Sequence, residues 1–143
     1  MATTTAKLTA TVIPVLKYDD AKKAVKWLCE AFGFKEHAVH AGEDGTVAHA
    51  ELTFDGGMIM LGSSGSTEFD KIVKTPKNFG GAGTQSIYVV VQDADAHYAR
   101  AKKAGARILI DLETKPWGGR DYTCADLEGH VWSFGTYNPW AAR

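Results

Sequence analysis

The chain repeats itself once, and that repeat limits its possible folds more than any single motif does. An apolar, β-prone run from Val12 to Tyr18 leads through Asp19 and Asp20 into a helical pattern that stops at Gly33. The same order returns as Ile87 to Val91, then Asp93, Ala94 to Ala104 and Gly105. An acidic residue before a helical pattern satisfies the free N–H groups of the first turn, and a glycine after it accepts the left-handed conformation that ends the helix. Each copy then continues into strand-like runs joined at glycine: Val47 to Phe54 and Met58 to Leu61 in the first, Asp121 to Ala125 and His130 to Phe134 in the second. The register is close to constant. Asp20 and Asp93, Gly56 and Gly129, and Gly62 and Gly135 all stand 73 residues apart, while Gly33 and Gly105 stand 72 apart. A duplicated supersecondary unit is the expected architecture, with one residue of slippage between the copies.

The size of the chain fits that expectation. Its 143 residues suffice for one sizeable core but not for two ordinary independent domains, so the two copies must share one compact unit. A single domain over 1–143 is expected, with module one at about 8–62, a linker rich in Gly, Ser and Thr at about 63–83, and module two at about 84–139. The 16 basic and 17 acidic residues are interspersed, giving a net charge of −1, and no basic run tracks a phosphate backbone. Nucleic acid is therefore not an expected partner. Neither is a membrane, because no apolar stretch approaches bilayer length and Met1 to Ala10 contains no apolar signal core. A cytoplasmic location follows as the expectation. Cys29 and Cys124 are too few and too far apart for a disulfide framework or a cysteine-rich zinc site, and both read as free thiols.

In the first helical stretch Ala24, Val25, Leu28 and Phe32 share one face, and in the second Ala94, His97, Tyr98 and Ala101 do the same. Each helix is expected to cover a sheet. Trp27 and Trp132 read as core, and His37, His40, His97 and His130 carry no functional signal by themselves.

The segments VIPVLKYDDAKKAVKWLCEAFGF, VAHAELTFDGGMIMLG, QSIYVVVQDADAHYARAKKAGA and DLEGHVWSFGTYNP are similar to the vicinal oxygen chelate superfamily. That group holds glyoxalases, extradiol dioxygenases, fosfomycin-modifying enzymes and bleomycin-resistance proteins. The resemblance runs from Val12 to about Pro139, with Leu127 standing where the family's recurrent turn has proline. It implies an α+β fold of two tandem βαβββ modules whose sheets curl into half-barrels, and a homodimer to which the aromatic tail from Tyr137 to Trp140 contributes. The nearest subgroup comprises glyoxalase-like, drug-binding proteins.

Metal-dependent members of the family place His, Gln or Glu on the first and last strands of each module. The repeat puts Ile13, Ser86, Met60 and Ser133 at those places, and such a set lacks the imidazole and carboxylate that divalent metals favour. No metal and no cofactor is expected. Strand alternation then lines the cavity with Ile13, Val15, Lys17, Met58, Met60, Ser86, Tyr88, Val90, Val131 and Ser133. Carrying the 73-residue offset onto the third strands pairs His49 with Tyr122 and Glu51 with Cys124, so all four are expected inside the cavity. His49 and Glu51, two apart on a strand, share a face and are the candidate base and acid, or ligand-orienting groups. Alternatively, Glu51 pairs with Lys17 or Arg120 and His49 is partly solvated. Trp117, beside Gly118 and Gly119, is a candidate stacking residue, or else a loop anchor. Arg120 is a candidate for an anionic group or a solvated charge, and Cys124 has no expected role. The expected ligand contacts are thus His49, Glu51, Met60, Tyr88, Trp117, Arg120, Tyr122 and Ser133. The leading expectation is a metal-free protein that sequesters or carries an aromatic or hydrophobic small molecule. The alternative is a glyoxalase-like lyase or isomerase using His49 and Glu51, with a metal held by atypical ligands if one is required.

Overall fold

The computed structural model describes residues 7–141, so the ends of the expected 1–143 unit, 1–6 and 142–143, lie outside it. Two units of identical element order follow one another. The first comprises β1 (Val15–Tyr18), α1 (Ala21–Phe32), β2 (Lys35–Ala41), β3 (Val47–Phe54) and β4 (Gly57–Ser63). The second comprises β5 (Ile87–Val90), α2 (Ala94–Lys103), β6 (Arg107–Thr114), β7 (Arg120–Ala125) and β8 (Val131–Gly135). Each forms a four-stranded mixed sheet, ordered β1-β4-β3-β2 and β5-β8-β7-β6, and neither sheet closes. The first strand of each unit runs parallel to the last, and the remaining pairs are antiparallel. The expected α+β, duplicated βαβββ architecture is what the chain adopts.

Local chemistry explains the matching halves. The Asp20 carboxylate accepts from Lys23 N at 3.1 Å, and the Asp93 carboxylate accepts from Ala96 N at 3.0 Å, so each helix starts at its aspartate. The apolar stripe of α1 buries Ala24, Val25, Leu28 and Phe32 against the first sheet, whereas α2 buries Ala94, His97 and Ala101. The helix faces of both sheets meet in one core. Phe32 lies 5.3 Å from Trp132 and 4.6 Å from Phe134 between ring centres, and Phe34 lies 5.6 Å from Trp132, so the two units share their packing. Burying each such ring contributes roughly 1.5–3 kcal/mol.

Polar groups also tie the halves together. Asp126 is buried, and its Oδ2 accepts from the Tyr18 hydroxyl at 2.5 Å and from Trp132 Nε1 at 3.0 Å. Its other oxygen accepts from the backbone of Glu128 and His130. Glu128 in turn accepts from Asp19 N at 2.6 Å and Asp20 N at 2.8 Å, placing a second-half carboxylate at the start of α1. Arg100 donates to the carbonyls of Glu30 and Cys29 at the other end of that helix. Trp27 and Trp132 are both buried, as their patterns indicated.

The slippage between copies has two structural sources. The first helix is longer than the second, which accounts for the 72-residue spacing of Gly33 and Gly105. The register is regained in the last hairpin. Phe54 pairs with Gly57 across a two-residue turn, whereas Asp126 N donates to His130 O at 2.9 Å, so that a longer turn containing Gly129 at φ 91° joins β7 to β8. A longer hairpin with a glycine in the left-handed region adds a residue while the flanking strands stay paired.

Candidate functional site

Leu16 and Tyr18 of β1, Ala50 and Leu52 of β3, and Ile59 and Leu61 of β4 are buried on the helix side. Alternation leaves Val15, Lys17, His49, Glu51, Thr53, Met58 and Met60 on the opposite, open face of the first sheet. Val15, Met60 and Glu51 form one row across it, because Met60 pairs with both neighbours. His49 Nε2 lies 2.9 Å from Glu51 Oε2, and the His40 ring stacks on His49 at 5.9 Å. Glu51 therefore finds its partner in His49, not in Lys17 or Arg120. The two side chains are 41% and 26% exposed, which leaves both reachable from solvent.

The second sheet presents Tyr88, Val90, Asp121, Thr123, Val131 and Ser133 on its open face. Tyr88 pairs with Ser133, and Ser133 with Thr123, in the row equivalent to Val15, Met60 and Glu51. The Ser133 and Thr123 hydroxyls lie 2.7 Å apart. Gly135 makes room for the Tyr88 ring, since a Cβ there would stand 2.8 Å from its Oη. That hydroxyl donates to Tyr137 O at 2.7 Å.

Tyr122 and Cys124 require a correction. Both are fully buried on the helix side, where the Tyr122 hydroxyl and His97 Nδ1 meet at 2.6 Å. The third strands follow the 72-residue offset of the preceding glycines, not the 73-residue offset of the flanking ones, and a one-residue shift along a strand reverses every side chain. The true counterparts of His49 and Glu51 on the open face are Asp121 and Thr123, which sequence reasoning missed. The Gly33–Gly105 spacing carried the signal. Burial pushes the Cys124 thiol up to about 12, which leaves it inert at neutral pH. Burial also raises Tyr122 well above the ordinary phenol value, and burial lowers His97 below the ordinary imidazole value. His97 Nε2 meets the Phe32 carbonyl at 2.8 Å. Because a carbonyl only accepts, Nε2 carries the proton, and Nδ1 accepts from Tyr122.

Arg120 and Trp117 lie in and before β7. Arg120 Nε donates to Asp95 Oδ1 at 2.6 Å, so the start of α2 engages its guanidinium. Trp117 is 70% exposed in the β6–β7 loop, with Lys115 Nζ 5.6 Å from its ring centre. His49 and Glu51 thus come together beside Met60 on the first sheet, while Tyr88, Ser133, Trp117 and Arg120 belong to the second. A cleft of about 910 Å³ runs between the segment before β1, the β3–β4 turn and β5, with Val12, Met58, Tyr88, Val90 and Trp140 in its wall. Its volume lies within the range of drug-sized ligand sites.

Metal chemistry can be tested on the donor set. The corners where metal-dependent members of such a fold hold their ion carry an aliphatic chain at Ile13, a thioether at Met60 and hydroxyls at Ser86 and Ser133, of which Ser133 is engaged by Thr123. These donors do not fit a divalent cation. No group of three His, Cys, Asp or Glu side chains among the described residues is arranged to hold one.

Two βαβββ units with open sheets and one shared core define a fold class, and sequence comparison defines the family. Residues 11–134 match the model of the Glyoxalase/Bleomycin resistance protein/Dioxygenase superfamily, and the chain belongs to that family. An uncharacterized protein of Mycobacterium bovis, Mb0911c, is 36% identical over 122 residues, covering 85% of this chain and 80% of its own length. The crystal structure of TioX from Micromonospora sp. ML1 superposes with a TM-score of 0.69 at 34% identity, covering 90% of this chain and 99% of that one. The fosfomycin resistance protein FosX from Listeria monocytogenes shares the fold at a TM-score of 0.66 and 14% identity, covering 91% and 94% of the two chains. No helix among the described residues is long and apolar enough to cross a membrane.

Proposed function

We propose that this chain is a small-molecule-binding protein of the glyoxalase/bleomycin-resistance type, which sequesters or carries an aromatic or hydrophobic ligand without a metal. One observation carries the reading. Both sheets turn a face away from the shared core, and on those faces apolar side chains such as Val15, Tyr88 and Val90 remain exposed beside a few directed polar groups. Exposed apolar surface of this kind supports a binding role. The donors at the family's metal corners support metal independence. We take the chain to act as one domain, in the cytoplasm and as a homodimer; apolar side chains exposed on both open faces and Trp140 of the tail, 92% exposed, support the pairing.

Ligand contacts are assigned to His49, Glu51, Met60, Tyr88, Trp117 and Ser133. A thermal-shift screen with planar aromatic compounds tests the reading, because a ligand at about 100 times its dissociation constant stabilises the fold by roughly 2.7 kcal/mol. His49→Ala and Trp117→Ala should each weaken the ligand found. Unchanged affinity in both variants would show that the site lies elsewhere. The 2.9 Å contact between His49 and Glu51 favours a second reading, a glyoxalase-like lyase or isomerase in which Glu51 orients His49 as a base. Turnover of a bound compound, abolished by His49→Ala with binding retained, distinguishes the two.

A further inference from the structure

Lys17 stands on the open face of the first sheet, yet its side chain is only 12% exposed. What covers it comes from outside the sheet. The connection between the two halves forms a short turn at Phe69–Lys71, and Asp70 of that turn sets its Oδ1 3.0 Å from Lys17 Nζ. Phe69 places its ring centre 5.2 Å from the same ammonium, which also donates to Ser63 O at 3.3 Å. The second carboxylate oxygen of Asp70 is held by Thr67, through its backbone N at 3.0 Å and its hydroxyl at 2.5 Å. This buried ion pair holds the middle of the segment over the open face, while Ser64 and Lys77 tie its ends to β1 and Asp19. Three of its apolar side chains, Phe69, Ile72 and Phe79, are exposed.

Apolar side chains stand next to Lys17 on the same open face. Lys17 pairs with Gly62 of β4, where a Cβ would stand 2.6 Å from the Ala48 carbonyl oxygen, so the β3 backbone closes in beside it. Val15 and Met60 supply an apolar floor along the same strands, and His49 with Glu51 stands on β3. A cation at the end of an apolar trough is the complement of an apolar molecule that carries an acid.

We propose that Asp70 is an internal stand-in for the acidic group of the ligand: the connection is a strap that occupies Lys17 in the empty protein and yields it to an apolar compound bearing a carboxylate or phosphonate. The inference rests on the binding-protein reading above and specifies the chemical class that this face selects. Exchange of one anion for another keeps the buried ammonium paired, whereas a neutral compound that displaced the strap would leave it without a counter-charge, which is costly. The selectivity for acids follows from that asymmetry.

The test uses the full chain with two probes, phenylphosphonate and the neutral benzyl alcohol, titrated by calorimetry into wild type, Asp70→Asn and Lys17→Met. Removing the internal competitor should tighten phenylphosphonate binding by about tenfold or more, as expected for a charge-assisted contact freed of its rival. Lys17→Met should lose that binding, and benzyl alcohol should gain nothing from Asp70→Asn, in which the ammonium still has no counter-charge. Hydrogen exchange supplies a readout that needs no variant: phenylphosphonate should speed exchange of the amides of 64–75 in wild type. Equal phenylphosphonate affinity in wild type and Asp70→Asn, retention in Lys17→Met, or no binding at all overturns the proposal. Should Asp70→Asn unfold, unchanged exchange at 64–75 overturns it alone. Binding of benzyl alcohol, judged separately, then shows whether the broader reading of the face survives.

Discussion

The two halves share an element order but use their sheets differently. On the open face of the first, a row of Val15, Met60 and Glu51 leads to His49, and the Lys17–Asp70 pair closes one end. On the second, the equivalent row is Tyr88, Ser133 and Thr123, where two hydroxyls satisfy each other and no basic side chain replaces Lys17, whose counterpart is Val90. The helix sides invert the contrast. There the first half is mostly aliphatic, with Ala50 and Leu52 on β3, while the second carries Tyr122, Trp132 and the buried His97. Duplication has kept the backbone but not the side chains: Lys17, His49 and Glu51 mark the open face of the first half, and Tyr122 and His97 put a hydrogen-bonded pair into the core of the second.

Breaking the core side of the second half should have the largest effect. Trp132→Ala removes a fully buried ring and a donor to Asp126, and should cost about 3–5 kcal/mol in chemical denaturation. Ala50→Gly on the first half should cost far less. Next comes Asp126→Ala, which leaves the buried Tyr18 hydroxyl and Trp132 indole without their acceptor, at about 1–3 kcal/mol for each. Tyr18→Phe removes one of those bonds and should recover part of the loss when combined with Asp126→Ala.

A third test separates the halves by pH. Burial, aided by the charge of Arg100, lowers the His97 pKa in the folded state. The unfolded imidazole, near its usual value of about 6.5, therefore gains a proton before the folded one does. Stability should be level above that value and decline as pH falls below it, by at most about 1.4 kcal/mol per pH unit. His97→Gln should flatten this region of the profile.

The smallest effect concerns the thiols. Burial raises both, but Cys29 of α1 is partly exposed whereas Cys124 is fully buried. An alkylating reagent at neutral pH should modify Cys29 slowly and spare Cys124 until the chain unfolds, as peptide mass spectrometry would show.

Much of this architecture can be read from the chain, because caps, stops and turn glycines act locally. Asp20, Asp93, Gly33 and Gly105 mark the helices wherever the rest of the chain goes. Site residues were legible only where strand parity was. On β3 the alternation of Ala50 and Leu52 against His49 and Glu51 separates apolar from polar. On β7, Tyr122 and Cys124 are apolar enough for a core and polar enough for a site, so parity hung on a single residue of offset. The Lys17–Asp70 pair was illegible for another reason. It joins residues 53 positions apart through a connection whose composition reads as a linker or a lid, and nothing local directs an aspartate in such a segment onto a strand.

The central proposal is recognition by an apolar, sparsely polar face whose corners do not suit a cation. Elemental analysis of the protein, purified without chelators and supplied with zinc, nickel, iron and manganese during expression, tests this most directly. We predict metal far below one equivalent per chain, together with undiminished binding of aromatic ligands after chelator treatment. One tightly held divalent ion per chain, lost along with ligand affinity on chelation, would contradict it.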